Sequence, residues 1–194
     1  MKDHTYRFEK LTKINTMVDN DLPISDLAKI AVNAENIRDV AVRIALSYVG
    51  QKEVPAGSNW GKFVQDCLKT VGITFPAAWC VSFTHRCYLE AANQLGIPNP
   101  HPRTAGVLKC MQMAGKDRQI PKKDATDKNI LSGYLGIMDF GRGLGHIYIV
   151  VSVEGDKVHT IEGNTDASGS RTGGSVCMRT RSLKDAKLRC FIKM

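Results

Sequence analysis

The chain has 194 residues, of which 43% are apolar and 24% charged, with a formal net charge of +8. This composition is typical of a soluble globular protein with one main domain and a sizeable core. No apolar run approaches the ~18 residues that a membrane span needs, and no zinc-finger spacing or basic helix indicates a nucleic-acid-binding module.

The chain divides by pattern into an N-terminal extension, residues 1–35, and one domain, residues 36–194. The extension begins with 23 polar, irregular residues and lacks the apolar segment of a Sec signal peptide. Either the sequence begins after a cleavage site, or the protein leaves the cytoplasm by another route, or it stays there.

Helical spacing of apolar residues predicts helices in the first half of the chain. Ser25 can cap a first helix, which starts at Asp26 and ends at Gly50. A loop rich in proline and glycine, residues 53–61, precedes a short helix that Gly72 closes.

A third predicted helix begins with a cysteine. In FPAAWCVSFTHRCYLEAANQLG, residues 75–96, apolar residues recur at helical spacing from Cys80 onward, and Gly96 suits the position just past the helix end. A first-turn cysteine experiences the positive end of the helix dipole, which favours the nucleophilic thiolate. A buried core cysteine is the alternative interpretation, and the local pattern alone does not separate the two.

The six cysteines are scattered without a CxxC pair, which argues against a zinc knuckle or a thioredoxin-type site. We expect most of them to be reduced core residues. Cys177 and Cys190 are the pair that could form a cross-strand disulfide.

From Gly136 onward the apolar period changes from helical to two. Five short strands are predicted, GIMDF, HIYIVVSV, KVHTIEGN, SVCMRTRS and LRCFIK, and EGDK is a tight turn that makes the second and third antiparallel neighbours. Residues 98–133 are predicted as mixed helix and loop. Helices followed by strands predict an α+β domain, with N-terminal helices packed on a C-terminal antiparallel sheet of about five strands.

His146 is the candidate base for Cys80, because it begins a strand directly after GRGLG. The alternate residues of its strand are apolar and belong against a core, which leaves His146 on the opposite face with Tyr148. In the next strand Glu162 and Asn164 share a face, and the hairpin register brings them near the level of His146. A polar side chain there can hold the second ring nitrogen.

The other histidines are poorer candidates for the base, whereas simpler interpretations of the individual residues weigh against the site. His85 follows Cys80 by five residues, so the helix rotates it away, while His4 and His101 are expected to be exposed. A histidine at a strand edge is often solvated, and a lone Glu or Asn at a strand end often serves a turn. GRGLG lacks the Lys-Ser/Thr of a phosphate loop. As a possible metal-ligand set, Cys80, His146 and Glu162 have no recognised zinc spacing.

Positive charge is concentrated in residues 171–194, which hold seven Lys or Arg against the single Asp185. A basic face favours polyanions such as nucleic acid, anionic lipid or the acidic polymers of a bacterial envelope. An ordinary solvated surface without a dedicated partner is the alternative.

The segments WC followed by VSF, then GHIYIVVSV, then IEGNT resemble the CHAP family, the cysteine, histidine-dependent amidohydrolases and peptidases. Its members are peptidoglycan-cleaving relatives of the NlpC-type and papain-like hydrolases. The stretch ALSYVGQKEVPAGSNWGKFVQDCL also resembles the family's E-x-P-x-G-S-N-x-G pattern. The resemblance covers residues 37–194 and leaves residues 1–35 without a counterpart.

The resemblance implies a papain-like fold in which Cys80 is the nucleophile and His146 the general base. Glu162 and Asn164 are then the residues that orient the imidazole, and no metal or organic cofactor is needed.

Trp79, Gly145 and Tyr148 are predicted to contact the substrate. The chain departs from the family where Tyr148 replaces a small or apolar residue, which would narrow the cleft, and where Thr84, His85 and Arg86 continue the cysteine helix. These departures bear on substrate preference.

The implied activity is hydrolysis of an amide bond in cell-wall peptide, as an N-acetylmuramoyl-L-alanine amidase or a peptidoglycan endopeptidase. We expect a monomer of bacterial or phage origin, made in the cytoplasm and acting at the cell wall by a route other than Sec. Its partners would be peptidoglycan and, through the basic C-terminal strands, anionic envelope polymers. The alternatives are a catalytically silent wall-binding or phage structural module, and a cysteine protease or acyltransferase effector acting on protein.

Overall fold

In the computed structural model, which describes residues 36–166 and 173–194, helices precede an antiparallel sheet. The helices of this part are α1 (Ile37–Ser47), α2 (Lys62–Thr70), α3 (Cys80–Leu95) and α4 (Val107–Ala114), with a 3₁₀ turn at Lys122–Asp124. The strands are β1 (Gln119–Pro121), β2 (Leu135–Gly141), β3 (Leu144–Glu154), β4 (Lys157–Thr165), β5 (Ser175–Ser182) and β6 (Leu188–Ile192). The predicted α+β class is therefore confirmed.

The helix boundaries follow from their caps. Asn36 caps α1, since its side-chain oxygen accepts a hydrogen bond from the Arg38 N–H at 3.0 Å. The earlier start predicted at Asp26, its Ser25 cap and the whole predicted extension, residues 1–35, lie outside the described residues. Helix α3 begins and ends where the sequence predicts, with Gly96 in the left-handed conformation at φ +65°.

The sheet order is β1-β6-β2-β3-β4-β5, with all neighbours antiparallel. The five predicted strands are β2 to β6, and the β3–β4 hairpin pairs Glu154 with Lys157 across the predicted turn. Strand β1 was not predicted, because three residues ending in a proline carry no detectable period. It adds to the edge of β6.

Alternate residues of β3 enter two separate cores, as the period of two predicts. Ile147 and Ile149 join Ile161 beneath the helices, in the larger cluster. Tyr148 and Val150 lie in a second cluster on the opposite face of the sheet. The sheet is therefore covered on both faces.

The cysteines of the described residues are free, so the disulfide considered for Cys177 and Cys190 does not form. Cys177 lies on β5 and Cys190 on β6, and β2, β3 and β4 stand between these strands. Four inter-strand spacings amount to roughly 19 Å, whereas a disulfide needs Cα atoms within ~7 Å.

The residues from Asn36 onward belong to one compact unit. Among the helices that the structure describes, none combines the length and apolar character needed to cross a membrane.

Candidate active site

Cys80 is the first residue of α3 and is 5% exposed. The first intrahelical hydrogen bond of α3 runs from the Phe83 N–H to the Trp79 carbonyl at 2.9 Å. The N–H groups of residues 80–82 therefore precede the hydrogen-bonded ladder, and the positive end of the helix dipole lies at the thiol.

A buried carboxylate fixes the residue before the cysteine. The Trp79 indole N–H donates to Glu53 Oε1 at 2.8 Å, and the backbone N–H of Asn59 donates to Glu53 Oε2 at 3.0 Å. Glu53 thus ties the glycine-rich loop to the start of α3. Its role was missed by sequence reasoning, although Glu53 is the first letter of the E-x-P-x-G-S-N-x-G pattern.

Trp79 itself is fully buried, so its predicted contact with substrate is corrected to a supporting role. Its ring also lies against strand β4. A Cβ at Gly163 would lie 2.7 Å from ring carbons of both Trp79 and Phe83. Only glycine therefore lets β4 approach the start of α3 this closely.

His146 lies near the beginning of β3 and is 1% exposed. Its Nε2 is 2.8 Å from Glu162 Oε2. Its Nδ1 makes no hydrogen bond of good geometry in the described part of the chain, but the Cys80 thiol lies close enough to raise the pKa of the ring. The preceding Gly145 is packed tightly, because a Cβ there would meet the Met138 carbonyl and the Val107 side chain within 2.9 Å.

Glu162 is fully buried and both of its oxygens are engaged. Oε1 accepts from Thr160 Oγ1 at 2.7 Å and from Arg181 Nε at 2.8 Å. Oε2 accepts from Arg181 Nη2 at 2.6 Å in addition to its contact with His146. Sequence reasoning placed Arg181 in a surface cluster, because its local pattern carries no sign of a contact with a residue on the neighbouring strand.

These contacts set the charges of the site. Burial opposes charge on the imidazole, but Cys80 and Glu162 outweigh it and raise the pKa of His146 to about 9. Burial likewise opposes the Glu162 anion, but Arg181 and His146 outweigh it and lower its pKa to about 2. An imidazolium held by a carboxylate is thus the favoured state at neutral pH.

Asn164 is buried two residues after Glu162, at the β4–β5 register shift, and has a left-handed φ of +58°. The β3–β4 pairing ends with Ile149 and Ile161, and the same offset extended along both strands places Asn164 opposite His146. Both predicted orienting residues therefore lie at this end of the sheet, and Glu162 makes the direct contact with the ring.

Tyr148 does not line a cleft, and its predicted contact with substrate is corrected. It is fully buried in the second cluster, where its ring packs edge-on to Phe191 at 6.4 Å between centroids. The ring also lies over Gly136 of the neighbouring strand, where a Cβ in place of the glycine hydrogen would meet it at 2.1 Å.

Two other histidines of the described residues, His85 and His101, lie away from this site, while His4 lies outside the described residues. His85 Nδ1 is 3.0 Å from Thr70 Oγ1, in accord with its predicted rotation away from Cys80. His101 was expected to be exposed, but this prediction is wrong. It is 3% exposed, because its Nε2 contacts Thr84 Oγ1 at 2.9 Å on the α3 surface.

A thiol at a helix N-terminus, an adjacent imidazole and a buried carboxylate provide the groups of a nucleophile, a base and an orienting residue. Within residues 36–166 and 173–194, no group of three or more His, Cys, Asp or Glu side chains could hold a metal ion.

No protein-family model matches this sequence, and no curated protein matches it. Among solved structures, the crystal structure of Ly7917 is similar, with 15% sequence identity and a TM-score of 0.41. The similarity covers 80% of this chain and 61% of Ly7917, so the chain spans about three fifths of that protein's length.

Proposed function

We propose that this protein is a cysteine amidohydrolase of the CHAP type, with a papain-like fold, which cleaves an amide bond in the peptide part of bacterial peptidoglycan. One observation carries the proposal. His146 is held through Nε2 by the buried Glu162 at 2.8 Å, beside a cysteine at the start of a helix. This arrangement leaves Nδ1 to exchange a proton with Cys80.

The first half-reaction forms a thioester. The Cys80 thiolate attacks the scissile carbonyl carbon, and the N–H groups at the start of α3 stabilise the oxyanion. The His146 imidazolium then gives its proton to the leaving amine, and the C–N bond breaks.

The second half-reaction restores the enzyme. Neutral His146 takes a proton from water, whose oxygen attacks the thioester carbonyl, and the C–S bond breaks. The products are a carboxylic acid and the free Cys80, with His146 protonated again. Glu162 holds the ring through both steps.

The proposed substrate implies where the protein acts. We propose action at the cell wall as a monomer, with exposed positive charge at the C-terminal strands attracting anionic envelope polymers. Lys184, Lys187 and Arg189 are exposed there.

The test is mass spectrometry of muropeptides released from purified sacculi. Wild-type protein is expected to release fragments with a new amine and a new carboxyl terminus, and the masses identify the bond. Cys80→Ala is expected to release none while unfolding at the wild-type denaturant concentration. Cys177→Ala is the matched control, since it removes a half-buried free thiol on β5 and is expected to keep the activity.

Release of the same fragments by Cys80→Ala would contradict the proposal. Binding to sacculi without any release by the wild type would indicate a silent wall-binding module. Cleavage confined to a labelled protein pool would indicate a protease of protein substrates.

A further inference from the structure

Arg181 belongs to the site through a two-point contact with Glu162. Its Nε and Nη2 donate to the two different carboxylate oxygens, at 2.8 Å and 2.6 Å. Such a fork holds the plane of a carboxylate and also favours its negative charge. A lysine at the same position would supply the charge but not the two-point geometry. The side chain of Arg181 is only 13% exposed, so water screens the contact weakly.

The guanidinium is itself supported by an aromatic ring. Its central carbon lies 5.9 Å from the centre of the Tyr148 ring, within the range of a cation–π contact. The Tyr148 ring in turn rests on the bare backbone of Gly136. The departure of this chain at Tyr148 therefore supplies the surface on which Arg181 lies.

We propose that Arg181 is a positioning residue, whose fork holds the Glu162 carboxylate in the orientation that presents Oε2 to His146 Nε2 and so leaves Nδ1 for Cys80. Without the fork, Thr160 Oγ1 is the remaining side-chain donor to Oε1 among the described contacts, and one hydroxyl lets the carboxylate plane rotate. The inference rests on the proposed function, because that function gives the imidazole its task.

The positive charge of Arg181 and its clamping contact with Glu162 have opposite effects on the pKa of His146. As a nearby cation, Arg181 disfavours a charged His146 and lowers its pKa. As a clamp, Arg181 preserves the Glu162 contact that favours the charged ring, and so keeps the pKa high. When Arg181 is replaced, the direction in which the pKa of His146 changes therefore distinguishes the two roles.

The experiment is an NMR titration of ¹⁵N-histidine-labelled full-length protein in a Cys80→Ala background, which removes the coupled thiol. Among the described residues, the charged groups that then act on the ring are Glu162 and, through it, Arg181, and β2 presents the apolar Met138 opposite His146. Arg181→Lys keeps the charge without the fork, and Arg181→Gln removes both. Arg179→Gln is the matched control, since Arg179 lies on the same strand and donates to the Asp166 carbonyl.

Both Arg181 variants are expected to lower the pKa of His146 by about 1 or more, and the neutral ring should become a mixture of Nδ1–H and Nε2–H tautomers. Arg179→Gln should leave pKa and tautomer unchanged. A higher pKa in Arg181→Gln with no change in Arg181→Lys would overturn the proposal in favour of charge alone. Unchanged His146 signals, or failure of both variants to fold, would equally overturn it, since Arg181 would then serve stability only. The titration uses no substrate, so its outcome is independent of whether sacculi are digested.

Discussion

At the scale of single residues, the cysteines differ in what surrounds their sulfur atoms. Burial raises the pKa of the Cys67 thiol to about 12 and that of Cys190 to about 11, and burial also raises the pKa of Cys87 and Cys110. Only the thiolate reacts with iodoacetamide. These four thiols are therefore expected to stay unlabelled near neutral pH.

Cys80 is expected to be alkylated at least ~10-fold faster than the half-buried Cys177, because it stands at a helix N-terminus beside His146, which can accept its proton. Peptide mapping after short exposure of native protein to iodoacetamide at neutral pH measures the rates. His146→Ala should slow the labelling of Cys80 and leave Cys177 unaffected. Equal labelling of several cysteines in native protein would contradict the assignment.

The sequence predicted the position of Cys80, His146 and Glu162 because each depends on a local period and on one short hairpin. Arg181 and Glu53 were out of reach, since each contacts its partner across a long separation in the chain. Tyr148 and Trp79 were misassigned, because proximity in sequence to a proposed catalytic residue does not reveal which way a bulky ring packs.

At the scale of one element, His85 on α3 meets His101 from the loop after α3, and the two buried rings are in T-shaped contact with centres 5.3 Å apart. Burial, followed by Arg103, lowers the pKa of His85 to about 4. Burial also lowers the pKa of His101 to about 3, although a bond to the Pro102 carbonyl opposes it. Both rings are therefore neutral in the folded chain and take up protons near pH 6.5 on unfolding.

The free energy of unfolding should fall as pH drops from about 6.5 to about 4.5, because the unfolded state binds more protons there. His146 and Glu162, the titrating pair of the candidate site, change little in this window. The raised pKa of His146 contributes stability that is lost as pH rises through about 9, and the lowered pKa of Glu162 contributes stability that is lost between about 4.5 and 2.

Urea unfolding of His85→Gln/His101→Gln at several pH values measures this contribution. The slope of the free energy of unfolding against pH should be shallower in the double variant than in the wild type. His159→Gln, which replaces a half-buried ring on β4, should keep the wild-type slope. The same slope in all three proteins would show that His85 and His101 do not govern acid stability.

The strength of local patterns decided which elements could be predicted. Helix α3 has sixteen residues with an apolar face and a glycine cap, and HIYIVVSV marks eight of the eleven residues of β3, so both were evident. Strand β1 has three residues and forms only because β6 offers a free edge. The burial of His101 likewise depends on α3 and not on its own neighbours in sequence.

At the scale of the whole molecule, the basic C-terminal region separates into inward and outward charges. Arg181 is committed to Glu162, and Arg179 is half-buried with a bond to the Asp166 carbonyl. Lys184 is exposed but paired with Asp156. Lys187 and Arg189, exposed at the start of β6, are thus charges that can meet a polyanion, as is the exposed Lys193 beyond the end of this strand.

If these charges recruit the protein to an anionic wall, sedimentation with purified sacculi should weaken steeply with salt. The Debye length falls from ~10 Å at 0.1 M salt to ~3 Å at 1 M, so contacts between exposed charges are screened. Cleavage of a small soluble muropeptide should change little over the same range, since it does not depend on attraction to the wall. Lys187→Glu/Arg189→Glu should reproduce the high-salt behaviour at low salt. Lys62→Glu/Lys69→Glu, which changes the net charge equally on α2, should bind sacculi as the wild type does. Equal loss of binding in both double variants would assign the effect to net charge. Salt-independent binding would show that the C-terminal charges are ordinary solvated surface.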